Sequence, residues 1–303
     1  MTELRETRPA RRSAGDRATP RWIPGFALLS LIWGASFALI KVAVDAGTAP
    51  MWVAFWRCFF GAVALGAVCA VRRIAPPRDR ATWAHALVVA VLFNAVPFAL
   101  FSYGETRVSS VLAGIWNATT PLTTLVFVLG LIPGERPTAR RVLGLLTGFA
   151  GVLVVLGVWH GLQGGTATGD LACLGATTCY GAAFTYTRRY FSGRGDAAAL
   201  ALTQVLCATV ELAVVTPLLA GPPSWPGERA GVALVVLGAA GTGLAYVINL
   251  AVIRAAGTTV AASVTYVTPL WSTLLGAWLL GEPPGWNTLA GGALVLAGVI
   301  VSR

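Results

Sequence analysis

The chain has 303 residues, of which 56% are hydrophobic and only 11% are charged. Soluble domains carry roughly 25% charged residues, so this composition excludes an ordinary water-soluble protein. The formal net charge of +10 would suggest a nucleic-acid partner in a soluble protein, so the positions of the basic residues decide what it means. All five cysteines lie within or beside apolar runs, which indicates small hydrophobic residues rather than a metal or redox site.

Residues 1–21 are rich in arginine and almost free of large apolar side chains, which is typical of a disordered, basic cytoplasmic tail. Beyond them, apolar windows long enough to span a bilayer recur, since a hydrocarbon core of about 30 Å needs about 20 apolar helical residues. The fold class predicted is an all-α integral membrane protein. Its ten spans are expected at 22–44, 50–71, 82–103, 108–132, 139–160, 168–189, 197–220, 229–253, 257–280 and 286–302.

The basic residues test this count, because cytoplasmic loops should hold the excess of Lys and Arg. With the N-terminus in the cytoplasm, only Arg107 and Arg229 lie in or at the edge of predicted outer loops, and Lys41 and Arg57 are assigned to spans. Every other basic residue lies in a predicted inner segment or at the inner end of a span. The net charge therefore indicates topology, with both termini cytoplasmic, and predicts no nucleic-acid partner.

An internal repeat divides the ten spans into two sets of five, at 22–160 and 168–303. Thr120-Pro121-Leu122 recurs 148 residues later as Thr268-Pro269-Leu270, and Ala150-Gly151-Val152 recurs 147 residues later as Ala297-Gly298-Val299. Upstream pairs keep the 147-residue offset: Trp33 with Tyr180, Lys41 with Arg188, and Arg57 with Gln204. Because each set has an odd number of spans, the second copy should be inverted in the membrane, which favours alternating access.

These residues resemble the EamA family of the drug/metabolite transporter superfamily. The resemblance rests on Leu31-Ile-Trp33-Gly34-Ala-Ser36, on Arg57 after Pro50, and on two Pro-to-Gly-Glu blocks at 121–152 and 269–299. It implies ten helices around a central cavity. It also implies export of amino acids, related small metabolites or drugs from the cytoplasm, by a protein of the bacterial inner membrane.

Pro121 and Pro269 lie inside spans, where each removes a backbone donor and should kink its helix. Each proline frees a carbonyl one turn earlier, on Asn117 and on Thr265, and both carbonyls have polar neighbours. We expect the substrate to bind there, near the midplane. The alternative is that the prolines only kink the helices, and that nearby Thr or Asn side chains satisfy the carbonyls.

The candidate substrate-binding residues are polar or aromatic side chains within the spans. They are Trp33, Asn94, Trp116, Asn117, Thr120, Tyr180, Tyr246, Asn249, Tyr266 and Thr268. Aromatic side chains at span ends are usually interface anchors, but Trp33, Trp116 and Tyr266 lie deeper than that.

Arg57, Glu211 and Lys41 are the candidates for coupling or gating, because ionisable groups inside a bilayer are costly and face the bundle interior. Arg57 and Glu211 enter repeat-related helices at similar depths. A buried ion pair between them is one hypothesis, and a proton carried by Glu211 is the other. Lys41 and Asp45 are four residues apart, which favours an ordinary helical ion pair.

Other functions fit the sequence less well. An enzyme would need a cluster of reactive side chains at one membrane face, yet His85 and His160 fall on opposite predicted faces. A channel or non-transporting scaffold is an alternative. A nucleotide-sugar or sugar-phosphate exchanger would need several cavity cations, and only Arg57 and Lys41 qualify.

We therefore predict a transporter of a small-molecule substrate that is zwitterionic, weakly charged or neutral, and partly apolar. The lipid bilayer is its surroundings, protons are a candidate coupling ion, and no cofactor or metal is expected. Gly144 and Gly148 form a GxxxG pattern, which we interpret as helix packing within one bundle, so we expect a monomer.

Overall fold

The computed structural model of the protein describes residues 22–108, 110–132, 138–155, 157–160, 166–271 and 286–302. Within these ranges the regular secondary structure is helical and there is no β-strand. The predicted tail at 1–21 and the end of the predicted ninth span lie outside the described residues.

The first half of the chain forms helices that follow one another with short connections. They are α1 (Ile23–Asp45), α2 (Pro50–Val71), α3 (Arg80–Ala90), a π-helical segment (Val91–Ala95), α4 (Val96–Glu105), α5 (Ser110–Asn117), α6 (Thr120–Leu131), α7 (Ala139–Val155) and a short 3₁₀ turn (Val158–His160). The π-helical segment joins α3 to α4 within one helical span, Arg80–Glu105.

The second half follows the same plan. It contains α8 (Ala167–Tyr186), a π-helical segment (Thr187–Phe191), α9 (Ala197–Ala220), α10 (Glu228–Gly238), a π-helical segment (Ala239–Leu244), α11 (Ala245–Ala256), α12 (Thr258–Ala262), α13 (264–271) and α14 (Trp286–Val301). Here a π-helical segment joins α10 to α11.

The local sequence explains where several helices begin and end. Asp79 precedes α3 and accepts a hydrogen bond from the Thr82 backbone nitrogen at 2.8 Å, and Asp196 caps α9 in the same way. Such carboxylates satisfy amide donors that have no partner within a helix. Gly257, with a φ of +86°, ends α11 in a left-handed conformation that side chains with a Cβ rarely adopt.

Six helical spans in the described ranges are long and apolar enough to cross a bilayer. They are Ile23–Asp45, Pro50–Val71, Arg80–Glu105, Leu112–Leu131, Ala197–Ala220 and Glu228–Ala256. These agree with the first four predicted spans and with the seventh and eighth. Leu289–Val301 is apolar but shorter. The count of ten spans and the cytoplasmic termini stay predictions.

The repeat-related helices α7 and α14 pack along a glycine seam formed by Gly144, Gly151, Gly291 and Gly298. A Cβ added to Gly144 would lie 2.8 Å from the Gly298 carbonyl oxygen, and one added to Gly291 would lie 2.7 Å from the Gly151 carbonyl oxygen. These are two copies of one contact, since Gly144 aligns with Gly291 and Gly151 with Gly298. Residue numbers rise along α7 as they fall along α14, so these repeat-related helices are antiparallel, as expected for an inverted repeat.

The glycines of the GxxxG pattern pack against other helices of the same chain. A Cβ on Gly148 would lie 2.9 Å from the Tyr266 ring, and Gly144 faces α14 as described above. The interpretation of Gly144 and Gly148 as packing positions within the bundle is therefore confirmed. All five cysteines are free thiols, and four of them are buried.

Candidate functional site

A large cavity lies at the centre of the bundle, where helices of both repeats meet. It holds about 490 Å3 of empty space, a volume that includes the open solvent at its mouth. Its lining comes from α1, α2, α4, α5, α8, α11, α13 and the first π-helical segment. The residues are Trp33, Ser36, Phe37, Ile40, Arg57, Phe93, Phe98, Phe101, Asn117, Tyr180, Phe184, Tyr246 and Thr265.

The wall of the large cavity is mainly aromatic. The rings of Phe101 and Tyr180 stack with centroids 5.8 Å apart, and Phe93 lies 5.4 Å from Tyr180 and 6.4 Å from Trp33. Phe37 continues the wall, 5.6 Å from Phe101. Such a surface stacks well on a flat, apolar molecule.

Among the described residues that line the large cavity, Arg57 is the one with a charged side chain. Its side chain is only 6% exposed. Nε donates to Thr242 Oγ1 at 3.0 Å, and Nη2 donates to the Gly241 carbonyl at 3.4 Å. The guanidinium carbon lies 3.8 Å from the centre of the Phe98 ring, a cation–π geometry. These contacts fix the guanidinium at the cavity wall.

A polar cluster of Asn94, Gln204 and Tyr246 connects the first π-helical segment to α9 and α11. Gln204 Nε2 donates to Asn94 Oδ1 at 2.9 Å, and Asn94 Nδ2 donates to the Tyr246 hydroxyl at 2.9 Å. The hydroxyl in turn donates to the Phe93 carbonyl at 3.1 Å. Pro97, which has no N–H, cannot give that carbonyl the usual backbone hydrogen bond, so Tyr246 supplies a donor from another helix.

The polar cluster and the Arg57 contacts are repeat images of each other. Arg57 aligns with Gln204, and Asn94 aligns with Thr242, at offsets of 147 and 148 residues. Each π-helical segment, Val91–Ala95 and Ala239–Leu244, therefore receives a side chain from the second helix of the opposite repeat. The two contacts share one geometry but differ in charge.

A small cavity of about 200 Å3 lies beside the polar cluster. It is lined by Phe93, Thr187, Gln204, Tyr246, Asn249 and Leu250. Four of these are repeat partners of residues that line the large cavity: Thr187 of Ile40, Gln204 of Arg57, Tyr246 of Phe98, and Asn249 of Phe101. The small cavity is thus a narrow counterpart of the large one in the inverted repeat.

Several predicted site residues meet at these cavities. Those that line the large cavity are Trp33, Arg57, Asn117, Tyr180 and Tyr246. Asn249 lines the small cavity, and its Oδ1 is buried and accepts no hydrogen bond from the part of the chain that the structure describes. Asn94 contacts neither space directly and instead holds the Tyr246 hydroxyl.

Trp116 and Tyr266 line neither cavity, contrary to their predicted placement. The Trp116 indole nitrogen donates to Asp170 Oδ1 at 2.8 Å, and the Tyr266 hydroxyl donates to the Leu145 carbonyl at 2.9 Å. Their polar groups therefore have partners within the protein, and these contacts pack α5 on α8 and α13 on α7.

Thr120 and Thr268 also lie outside the lining of both cavities. Thr120 Oγ1 donates to the Asn117 carbonyl at 2.7 Å, and Thr268 Oγ1 donates to the Thr265 carbonyl at 2.8 Å. These are the carbonyls that the prolines free, so local threonines satisfy them. Asn117 and Thr265 nevertheless line the large cavity, so kinks and a cavity coexist.

The two prolines differ in their relation to the helix breaks. In the first repeat the helix is interrupted at 118–119, directly before Thr120 and Pro121, as predicted for a proline. In the second repeat the interruption lies at Ser263, and Pro269 falls within α13, more than one turn later.

The predicted ion pair between Arg57 and Glu211 is not formed. Glu211 is half-buried on α9, and its Oε2 is buried with no hydrogen-bond partner among the described residues. Arg57 contacts instead Thr242 and Gly241 in the π-helical segment between α10 and α11, and the Phe98 ring of α4. Similar depth in two helices did not bring the side chains to the same side.

The predicted pair between Lys41 and Asp45 is confirmed, with Nζ 2.9 Å from the carboxylate. Lys41 also donates to the Glu105 backbone carbonyl at 3.3 Å. The two side chains are 38% and 59% exposed, and Lys41 does not line the large cavity. Its assignment to gating therefore has no support from its position.

Sequence reasoning missed the phenylalanines of the wall and the acceptor Thr242. The missed phenylalanines of the large cavity are Phe37, Phe93, Phe98, Phe101 and Phe184, and Ser36 and Ile40 were missed as well. Two signals could have found part of this set. Pro97, like Pro121, predicts a break in its helix. The 148-residue repeat offset relates this position to the glycine-rich stretch around Thr242, so a break is expected there as well.

Known proteins provide an independent comparison. The profile of the EamA-like transporter family matches the chain twice, at residues 20–157 and 167–303. An uncharacterized transporter of Archaeoglobus fulgidus is 26% identical over 91% of this chain and 95% of its own length. The uncharacterized transporter YvbV of Bacillus subtilis is 26% identical over 90% of this chain and 88% of its own.

Two further similarities concern part of the chain and the fold. Protein PagO of Salmonella typhimurium is 30% identical over 135 residues, which are 43% of each chain. A protein crystal structure at 21% identity matches 93% of this chain and 96% of its own, with a TM-score of 0.73, so it shares the fold. Since the two profile matches together cover most of the sequence, this multi-pass membrane protein belongs to the EamA-like transporter family.

Proposed function

We propose that this protein is a secondary transporter that exports small metabolites, such as amino acids or related compounds, or drugs, from a bacterial cytoplasm across the inner membrane. The observation that carries the proposal is the large aromatic cavity at the meeting point of the two repeats. Membrane transporters commonly bind their substrates at such a repeat interface, near broken helices.

The relation between the two cavities supports alternating access as the mechanism. The small cavity uses repeat partners of residues that line the large cavity, in a narrower form. If the two repeats exchange conformations, the small cavity widens while the large one narrows. In this mechanism the polar cluster holds one side closed in the present state, and the Arg57–Thr242 contact takes that role in the other state.

The charge of the cavity favours a substrate with little net charge and a partly apolar body. Phosphate-bearing substrates need several cations, whereas Arg57 is the charged side chain among the described lining residues. This supports metabolite or drug transport over nucleotide-sugar or sugar-phosphate exchange.

Glu211 is the residue through which we propose proton coupling. Its half-buried carboxyl has one oxygen that receives no hydrogen bond within the described structure. An ionised carboxylate in that position is poorly stabilised, whereas the protonated form costs less in a membrane. Uptake of a proton on one side and its release on the other would couple substrate export to a pH gradient.

The test is efflux of radiolabelled amino acids, purines and cationic dyes from proteoliposomes of controlled orientation, with and without a pH gradient. We expect saturable transport of one class that the gradient accelerates, and at least a tenfold loss of that acceleration in Glu211→Gln. The substitution removes the titratable proton but keeps the shape of the side chain.

Glu228→Gln is the matched control, because Glu228 is an exposed carboxylate at the start of α10. It should leave both the rate and the gradient response unchanged. Gradient-driven transport that survives Glu211→Gln would remove Glu211 from the coupling mechanism. Absence of saturable transport for the whole panel would contradict the transporter proposal and favour a channel or scaffold.

A further inference from the structure

The guanidinium of Arg57 has more hydrogen-bond donors than acceptors around it. The inference drawn from this feature rests on the proposed transport function. A guanidinium has five N–H donors, and within the described part of the chain two of them have acceptors, Thr242 Oγ1 and the Gly241 carbonyl. No carboxylate lies within ion-pair distance of Arg57 among the described residues. Arg57 is only 6% exposed, and no carboxylate of the described residues neutralises its charge.

Such a charge is expensive in a membrane protein. An arginine at the centre of a bilayer costs about 2.5 to 3.5 kcal/mol on insertion scales. The Phe98 ring covers one face of the guanidinium at 3.8 Å, which offsets part of the cost and blocks approach from that side. The unused N–H groups, chiefly those of Nη1, remain for a ligand on the cavity side.

Arginine presents its N–H groups in a planar fork that matches a carboxylate, so a carboxylate would complete the bonding of Arg57. A substrate amine would find no carboxylate among the described lining residues and would be repelled by Arg57. A molecule with several phosphates would find only one cation. The charge pattern therefore selects a single negative group.

The rest of the cavity defines the body of the ligand. Trp33, Phe93, Phe101 and Tyr180 form the continuous aromatic wall described above, and the empty space is about 490 Å3. Flat apolar groups gain both burial and ring stacking against such a wall. We propose that the large cavity binds small amphiphilic monoanions, namely monocarboxylates with an aromatic or similarly flat apolar body, with the carboxylate on the free edge of Arg57.

This anion site belongs to one repeat only. The repeat partner of Arg57 is Gln204, a neutral amide that already donates to Asn94. Preference for an anion therefore depends on a single side chain. The substitution Arg57→Gln introduces the residue type of the repeat partner and makes the two halves alike in charge. It is therefore the direct test of the anion preference.

The probes are three compounds that share a phenyl ring on a two-carbon chain and differ in the charged groups that the chain bears. 3-Phenylpropionate is an anion, phenylalanine a zwitterion, and 2-phenylethylamine a cation. Binding to the purified full-length protein in detergent is measured by isothermal titration calorimetry. We expect 3-phenylpropionate to bind at least tenfold more tightly than 2-phenylethylamine, with phenylalanine between them.

Arg57→Gln should weaken 3-phenylpropionate binding at least tenfold and leave the amine unchanged or slightly improved. Arg57→Lys, which keeps the charge but loses the planar fork, should retain the order of the three probes with weaker anion binding. Arg107→Gln is the matched control, because Arg107 also stacks on a ring, 4.1 Å from Tyr103, but lies exposed outside the cavity. It should change nothing.

The order of the three probes' affinities for the wild-type protein tests the proposal even if a variant fails to fold. Tightest binding of the amine or the zwitterion, or no saturable binding of the anion, would overturn the assignment of the substrate class. Anion binding that survives Arg57→Gln would remove Arg57 from the site. Each of these results leaves the transporter proposal standing if the efflux panel shows saturable transport of another class.

Discussion

At the glycine seam the two repeats are alike, whereas at the centre of the bundle they differ in charge. Gly144 meets Gly298 as Gly291 meets Gly151, so the seam repeats one backbone contact in both directions. At the centre the same symmetry pairs Arg57 with Gln204, and Asn94 with Thr242. The backbone geometry is duplicated there, but one half is cationic and the other is neutral.

The difference teaches which parts of an inverted repeat carry the fold and which carry the chemistry. Close helix packing depends on backbone shape, which both copies share, so symmetry persists at the seam. A substrate has no such symmetry, and a cavity that binds it in a defined orientation benefits from unequal walls. Arg57 lines the large cavity, and Gln204 lines the small one.

The largest effect is expected from breaking the symmetric region. In Gly298→Ala the new methyl group would overlap the backbone nitrogen of Gly148 and the Gly144 carbonyl oxygen. Backbone atoms cannot move aside as a side chain can, so α7 and α14 must separate, at a cost of about 3 kcal/mol. The measurement is the melting temperature of the purified protein, with the yield of monodisperse material.

Gly66→Ala is the control for that change. Gly66 also lies within a helix, α2, but a Cβ there would meet nothing within 4 Å. Alanine favours helix over glycine by up to about 1 kcal/mol, so this variant should be as stable as the wild type or more stable. Equal stability of Gly298→Ala and Gly66→Ala would contradict the importance of the seam.

A smaller effect on stability is expected at the uncharged half of the centre, which is the polar cluster of Asn94, Gln204 and Tyr246. Tyr246→Phe deprives the Asn94 amide of its acceptor and the Phe93 carbonyl of its hydroxyl donor. Both groups are buried, so the free energy of unfolding should fall by about 2 kcal/mol. Thermal unfolding in detergent, followed by circular dichroism, measures the loss.

Tyr266→Phe sharpens that result, because Tyr266 is also a fully buried tyrosine. Its hydroxyl donates only to the Leu145 carbonyl, which lies inside α7 and keeps its helical partner. This substitution should cost less than half as much as Tyr246→Phe. If the two costs are equal, the polar cluster has no special part in holding the neutral half together.

Much of the fold could be predicted from the sequence, because the patterns that determine it lie in short segments or recur along the chain. Apolar windows predict spans wherever the bilayer requires them, and six of the ten predicted spans are recovered in the described ranges. The 147-residue offset identified Gly144 with Gly291, and Gly151 with Gly298, as repeat partners, and the structure adds that each of them faces the partner of the other. The resemblance to the EamA family is also confirmed.

The site was only partly accessible because the direction in which a residue faces depends on packing. Phe98 lines the cavity while Phe59 is 37% exposed on the surface of α2, and no property of phenylalanine distinguishes the two. Arg57 and Glu211 were predicted to pair from depth alone, yet they face different neighbours. Gln204 received no role because it is neutral, and only its hydrogen bond to Asn94 identifies it.

The smallest effect is expected at a charged repeat pair outside the cavity. Lys41 aligns with Arg188 as Arg57 aligns with Gln204, but Lys41 pairs with Asp45 in a partly exposed position. Exposed pairs one helical turn apart contribute about 0.3 to 0.5 kcal/mol, so Lys41→Met should lower stability by no more than that. Its efflux rates in the proteoliposome panel should equal those of the wild type, and Asp45→Asn should behave in the same way. A tenfold loss of efflux in Lys41→Met, with unchanged melting temperature, would return Lys41 to the gating mechanism and extend the chemical difference between the repeats beyond the cavity.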